Sequence, residues 1–571
     1  MADPTEPGQV TRGCRAIRNV WVGMRDGVRL ATTVILPEAE GRYPVVLVRT
    51  SYRRLGHWDE GLAFTKAGYA FVVQDCRGRF DSDGEWYPFT AEAQDGHDTI
   101  EWIGRQPWCN GRVGMVGASY EAAVQLLAAP EGSRYLKSLI PMFMTGDPWR
   151  RAYYADGAFS LALNLIWLCF EVPAKTSDSS TMPTYDMAQL FRKLPLLELD
   201  RESGYEEVPF WRDYVRHSTR DDYWKAISIR EKYHAFTMPT LLIGGWYDYY
   251  PAETFRNWQG MVESAASPEI ARGHRVLMGP WGHGFTGRCF GELDFGEQSV
   301  VDGHRLFVEW FDRTLKGGSA AGDSEAPIRL FVMGANEWRD EWEWPPARVQ
   351  HVDYYLRSRG AAAREGGRLT TAMPGDEPPD GYVYDPDDPV PTVGGNHSVG
   401  LFWEAAREVI RPGPFDQRQV EARGDVLVYT TEPLERDTEV TGPVTLKLHA
   451  ASSAPDTDFT AKLTDVYPDG RSINITEGIV RARFRDMDWE HPKLIEPGAV
   501  NQYTIDLQVT SNLFRQGHRI RVDVTSSNFP LWDRNPNTGH EPGLDTEVRK
   551  AKQTVFHDRE RPSRLVLPIV T

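Results

Sequence analysis

The order of apolar and polar positions divides the chain into distinct stretches. Residues 18–36 alternate around Asp26-Gly27, the pattern of a β-hairpin closed by a tight turn. Short unbroken apolar runs follow at residues 44–49, 69–75, 113–117 and 139–141. Such runs suit strands covered on both faces. Between them the spacing predicts helices over 58–67 and 93–106. This alternation implies a mainly parallel sheet with helices on both sides, an α/β fold.

From about residue 145 to 236 the strand runs vanish, and the segment reads as helices with charged faces. Strands return at 240–244 and 275–279, so the middle piece is expected to be an insertion covering the α/β domain. After about residue 351 the pattern changes again. Residues 426–429, 444–449, 459–463, 503–507 and 519–524 alternate and are separated by Pro, Gly and Asp turns, as in an all-β sandwich. The expected division is therefore 1–144 and 237–350 for two parts of an α/β core, 145–236 for a helical cap, and 351–571 for the β-sandwich.

Within this pattern the run at 113–117 meets Gly117-Ala118-Ser119, and a good helix-forming stretch begins at once. Strand, sharp turn and helix in that order form a nucleophile elbow, which lifts a serine Oγ above the end of a sheet. A serine alone is a weak nucleophile and needs a base and an orienting acid. Asp248 and His283 each stand just past an apolar run, in the order Ser, Asp, His that an α/β hydrolase uses. His283 would take the Ser119 proton and Asp248 would fix the imidazole tautomer. Asp75, Asp81, Asp83 and Asp294 compete for the acid role, and Asp248 would otherwise cap a helix starting near Pro251. Two oxyanion donors are needed. The Tyr120 amide is one candidate. The Tyr52 hydroxyl, after the first core strand, is the other, although position alone fits a packing tyrosine equally well.

At 571 residues the chain exceeds one core, and roughly two to four domains are expected. Its formal charge of −17 and the absence of a basic run argue against nucleic acid and anionic membrane as partners. A small-molecule ester or amide is the expected partner, and a homodimer is left open. Cys14, Cys76, Cys109, Cys169 and Cys289 are scattered, without a C-x-x-C pair, so neither a disulfide scaffold nor a zinc site is expected. Asp81-Ser82-Asp83-Gly84 lacks the remaining ligands of a calcium loop, and the pair Asp456/Asp458 reads as a solvated loop. No metal and no cofactor is expected. The first eight residues carry no basic or apolar leader pattern, and the apolar stretch 158–172 is too short to span a bilayer. These features predict a reduced, cytoplasmic setting.

Taken together, several motifs resemble the cocaine esterase-like (CocE/NonD) hydrolases, relatives of the Xaa-Pro dipeptidyl peptidases and α-amino-acid ester hydrolases. They are Ser51-Tyr52-Arg53, the Gln74–Gly84 block with Arg77-Gly78-Arg79, Trp108-Cys109-Asn110-Gly111, Gly117-Ala118-Ser119-Tyr120, Gly245-Trp246-Tyr247-Asp248, Gly279-Pro280-Trp281-Gly282-His283, and the block from Tyr384 to Gly395. The resemblance implies Ser119, Asp248 and His283 as a triad and the Tyr52 hydroxyl with the Tyr120 amide as oxyanion hole. It also implies an α/β-hydrolase core, a helical cap and a C-terminal jelly roll. Ala122 departs from the family's usual glycine but removes no catalytic atom.

A serine esterase or amidase is the expected activity. An acyltransferase with the same triad, an Xaa-Pro-type dipeptidyl peptidase and a non-catalytic carbohydrate-binding protein are the competing readings. Trp149, Tyr153 and Trp167 of the insertion and Tyr250 past the acid loop are expected to wall the substrate pocket, against the alternative that they merely pack cap on core.

Overall fold

A computed structural model describes residues 10–571 except 12, 180–184, 318–324 and 404–405. The leader reading of the first eight residues therefore lies outside the described residues.

Cys109–Ala118 is a central strand of the first sheet, flanked in parallel by Tyr43–Thr50 and Leu136–Met142. Beyond Tyr43–Thr50 lie parallel Ala70–Asp75 and then the antiparallel pair Arg29–Pro37 and Cys14–Gly23. On the other side Thr240–Gly245, His274–Gly279 and Ile328–Val332 continue in parallel, closed by antiparallel Glu337–Glu341. Side chains one apart on a strand face opposite ways, so each apolar run feeds two cores. Val45, Leu47, Val113 and Met115 join one core, while Val46, Val48 and Val116 join the other. Helices Glu92–Gly104 and Tyr120–Ala128 pack together beside the central strands. Gly303–Leu315 approaches so closely that a Cβ on Gly114 would stand 2.6 Å from Phe311.

Between Met142 and Thr240 the chain forms short helical pieces, among them Leu161–Ile166, Pro209–Arg216 and Asp222–Ala226. The long apolar stretch 158–172 changes register at Trp167–Glu171, a π-helical turn. A two-residue hairpin, Tyr154–Ala155 with Ala158–Phe159, also interrupts the helical pattern. Buried Asp147 ties the cap together, with Arg220 at 2.7 Å and Arg230 at 3.2 Å.

The C-terminal part is all β. Its long strand Thr438–Ser452 pairs along one edge with Asn501–Phe514 and shares the other between Arg564–Val570 and Ala551–Phe556. This part is joined to the cap by the Arg151–Asp506 pair at 2.7 Å and by the Phe159 amide, which donates to Asp533 at 2.8 Å. Asp456 and Asp458 depart from the solvated loop expected of them. Both are buried, Asp456 against Arg483 at 2.8 Å and Asp458 against Arg481 at 2.9 Å, because opposite charges there satisfy the carboxylates. Among the described residues no helix is long and apolar enough to cross a membrane.

Candidate active site

Ser119 closes the strand Cys109–Ala118 and opens the helix Tyr120–Ala128. Its backbone sits at φ 58°, ψ −123°, a conformation non-glycine residues rarely hold. Three contacts support it: the Ser119 amide donates to the Met142 carbonyl at 2.9 Å, and the Ser119 carbonyl accepts from the Ala122 and Ala123 amides. Gly117 makes room for the turn. Its φ is +154°, and a Cβ there would lie 2.4 Å from that of Glu121.

The other two members stand past neighbouring parallel strands. Asp248 follows Thr240–Gly245 and His283 follows His274–Gly279, strands in register from Thr240 with His274 to Gly245 with Gly279. The two loops touch: a Cβ on Gly245 would meet the Trp281 carbonyl at 2.4 Å. Asp248 is fully buried and its Oδ1 accepts from His283 Nδ1 at 2.9 Å. With Nδ1 held there, Nε2 is the ring nitrogen left for Ser119. The helix Pro251–Glu263 takes Tyr250 as N-cap without a side-chain bond, so Asp248 does not cap it. The rival aspartates are occupied by arginines: Asp75 and Asp81 by Arg54, Asp83 by Arg29, Asp294 by Arg288.

Ser119 and His283 line one cavity of about 280 Å³ together with Tyr52, Tyr120, Tyr153, Trp167 and Tyr250. The Tyr52 hydroxyl accepts from Trp167 Nε1 at 3.1 Å and shares the cavity with Ser119. Burial, reinforced by nearby Glu171, pushes its pKa up, so it stays a neutral donor. The Tyr120 side chain is committed elsewhere: its hydroxyl donates to Glu92 at 2.8 Å and accepts from the Phe89 amide. Glu92 in turn pairs with Arg49 at 2.7 Å beneath the elbow. The Tyr120 amide stands at the start of the helix, where a backbone N–H has no partner within the helix.

Of the four aromatics expected to wall the pocket, Tyr153, Trp167 and Tyr250 do so. Tyr153 stacks on Trp167 at 6.1 Å, and Tyr250 stands 5.9 Å from the His283 ring. Trp149 does not. It is fully buried, stacked on Tyr154 and packed against Phe484 and Trp489 of the C-terminal part, where the cap docks.

Several lining residues were missed from the sequence. Phe89 comes from the loop before the helix Glu92–Gly104, and Ser398, Phe402 and Trp403 come from the C-terminal half. Two carboxylates, Glu121 and Glu171, are among them. Glu121 Oε1 lies 3.0 Å from His57 Nε2, whose Nδ1 meets Glu60 at 2.8 Å. Burial works against the His57 charge, but Glu121 and Glu60 outweigh it and push its pKa up to about 11. Glu171 stands out only as a charge ending an apolar stretch, and Glu121 as the residue after Tyr120; neither signal says which way the side chain turns.

This fold and this serine define an α/β-hydrolase of the serine type. Residues 26–285 match the X-Pro dipeptidyl-peptidase (S15) family, and residues 320–566 match the X-Pro dipeptidyl-peptidase C-terminal non-catalytic domain. The chain is 39% identical to cocaine esterase of Rhodococcus sp. (strain MB1 Bresler), over 97% of this chain and 98% of that protein. Among solved structures it is similar to an aminopeptidase from a marine sediment Thaumarchaeota archaeon, at 27% identity and TM-score 0.84 over 100% of this chain and 99% of that one. It is also similar to an α-amino acid ester hydrolase, at 25% identity and TM-score 0.84 over 99% and 98%. The chain belongs to the S15 family of serine hydrolases, in its cocaine esterase-like (CocE/NonD) branch.

Proposed function

We propose that the protein is a carboxylic ester hydrolase working through an acyl-enzyme on Ser119. In this reading His283 Nε2 takes the Ser119 proton as Oγ attacks the substrate carbonyl, and Asp248 stabilises the imidazolium. The carbonyl oxygen, as it gains charge, meets the Tyr52 hydroxyl and the Tyr120 amide. The C–O bond to the alcohol breaks as His283 returns the proton to the leaving oxygen. Water then repeats the sequence on the acyl-enzyme and frees the acid. The observation that carries this reading is the His283–Asp248 bond at 2.9 Å beside a serine held in an elbow within the same cavity. Tyr153, Trp167 and Phe89 favour a flat or bulky acyl group, because such rings bury large areas with defined geometry. The substrate is a small molecule rather than a nucleic acid. A reduced, cytoplasmic setting is part of the same proposal, supported by Cys76, Cys109 and Cys169 being buried thiols.

The test is Ser119→Ala on a panel of ester, amide and β-lactam substrates. The variant should fold normally, lose a fluorophosphonate label and lose on the order of a millionfold in kcat. Retention of more than a small fraction of turnover would remove Ser119 from the mechanism.

A further inference from the structure

Tyr52 and Ser119 stand on separate segments, and the sheet does not lock the two together. Their strands, Tyr43–Thr50 and Cys109–Ala118, run parallel, but among the described residues the ladder between them reaches only Leu47 with Met115. Past that point each strand keeps its outer neighbour: Thr50 stays paired with Asp75, and Ala118 with Met142. The segment after Thr50 is also strained. Arg53, next to Tyr52, takes φ 82°, a conformation that persists only where the surroundings enforce it. Arg54 supplies one hold. It is buried, its amide donates to Asp75 at 2.7 Å, and its guanidinium bonds Asp75, Asn19 and Thr33. None of these partners belongs to the elbow.

His57 supplies a second hold, and this one does reach the elbow. Its Nε2 meets Glu121 at 3.0 Å and its Nδ1 meets Glu60 at 2.8 Å. A neutral imidazole has a single N–H and cannot donate to both carboxylates, so the geometry calls for the imidazolium. Glu60 lies on the helix Trp58–Lys66, which follows the Tyr52 segment. Glu121 lies in the first turn of Tyr120–Ala128, directly behind Ser119. A cation between two carboxylates thus ties the Tyr52 segment to the nucleophile's helix. The His57 and Glu121 side chains are only 18% and 13% exposed, so solvent screens this pair less than a surface one. Gly117 leaves the room it needs: a Cβ there would stand 3.0 Å from Glu121 Oε2.

We propose that the His57–Glu121 pair is a latch that sets the position of the Tyr52 hydroxyl relative to Ser119, which makes both members positioning residues for the oxyanion hole. The inference rests on the readings of Ser119 as nucleophile and Tyr52 as oxyanion donor. Such a donor helps only when it is held at hydrogen-bond distance from the place where charge develops. Neither latch residue moves a proton in the reaction. Glu121 borders the cavity, but its charge is already answered by His57.

The experiment compares wild type, His57→Ala and Glu121→Ala, each alone and combined with Tyr52→Phe, by steady-state kinetics on one neutral ester. Each single change should lower kcat by roughly tenfold and leave KM almost unchanged, because a small displacement weakens a bond made chiefly in the transition state. In the Tyr52→Phe background the same changes should cost less than about twofold, since the group they position is gone. Equal losses in both backgrounds overturn the proposal and make the pair a general support of the fold. A rise in kcat in Glu121→Ala overturns it too, because the carboxylate would then act by its charge on the forming oxyanion. So does an unchanged kcat in both single variants, with or without a lowered Tm. Failure of the underlying readings is seen separately, as persistent hydrolysis by Ser119→Ala or full kcat in Tyr52→Phe alone.

Discussion

Replacing Tyr52 by phenylalanine removes one oxygen atom from the cavity wall and leaves the ring in place. In the folded protein that oxygen accepts the Trp167 indole N–H at 3.1 Å. Acceptance there holds the oxygen in place and leaves its proton free to be donated within the cavity it shares with Ser119. One lost oxyanion donor costs about 2.7–4 kcal/mol of transition-state stabilisation. At about 1.36 kcal/mol for each factor of ten, that is roughly a hundred- to a thousandfold in kcat. The substrate's ground state makes less of this bond, so KM should change little. A second, smaller effect falls on stability: the Trp167 N–H loses its acceptor in a nearly dry site, worth about 1–3 kcal/mol. Steady-state kinetics on one ester, with a Tm measurement alongside, separates the two. Trp167→Phe should keep the Tyr52 donor but lose its orientation, and so lower kcat less than Tyr52→Phe does. A rise in KM with unaltered kcat in Tyr52→Phe would refute the reasoning and make Tyr52 a binding residue.

The remaining tests separate pocket from core and one charge from another. Trp149→Ala should lower stability by about 3–5 kcal/mol, as loss of a fully buried indole does, and leave the ratio of aromatic to acetyl ester hydrolysis unchanged. Trp167→Ala should depress aromatic acyl esters far more than acetyl esters; equal loss on both would return it to the core. His57 is held protonated up to about pH 11 by Glu121 and Glu60 despite burial, whereas an unfolded histidine titrates near about 6.5. Its folded pKa is raised, so its contribution is whole below about pH 6.5 and fades as pH climbs toward 11. The Tm gap between wild type and His57→Gln should therefore be widest near about pH 6 and close with rising pH; a gap that grows would show that the pair is not ionic.

Much of the α/β core was legible because burial on both faces of a strand leaves an unbroken apolar run. The strand at Ala70–Asp75 and the helices Trp58–Lys66 and Glu92–Gly104 fall within a residue or two of the ends expected. The hairpin around Asp26-Gly27 appears as Cys14–Gly23 with Arg29–Pro37, longer than its alternation suggested. Strand ends are lost where polar residues continue the ladder, as at Cys109–Arg112. In the site, Ser119, Asp248 and His283 could be picked out because strand, turn and order constrain them together. Trp149 could not be separated from Trp167, since both are large apolar residues of one insertion. Which of them faces Ser119 depends on where the cap meets Phe484 and Trp489, contacts between residues far apart in sequence. Asp456 and Asp458 misled for the same reason: their arginine partners come later in the chain.

Ser398, Phe402 and Trp403 reach the cavity from beyond the α/β core, and Trp403 is bonded to a residue 232 positions earlier. During synthesis, Ser119, Asp248 and His283, the proposed reacting residues, all leave the ribosome before this wall exists. On the proposed assignment, a chain ending after the core would hold every reacting group and yet lack one wall of the cavity. The complete cavity thus waits for the segment holding Ser398, Phe402 and Trp403. Exchanging only the C-terminal half with that of a relative should alter the share of substrate preference set by Ser398, Phe402 and Trp403 and leave Ser119, Asp248 and His283 untouched.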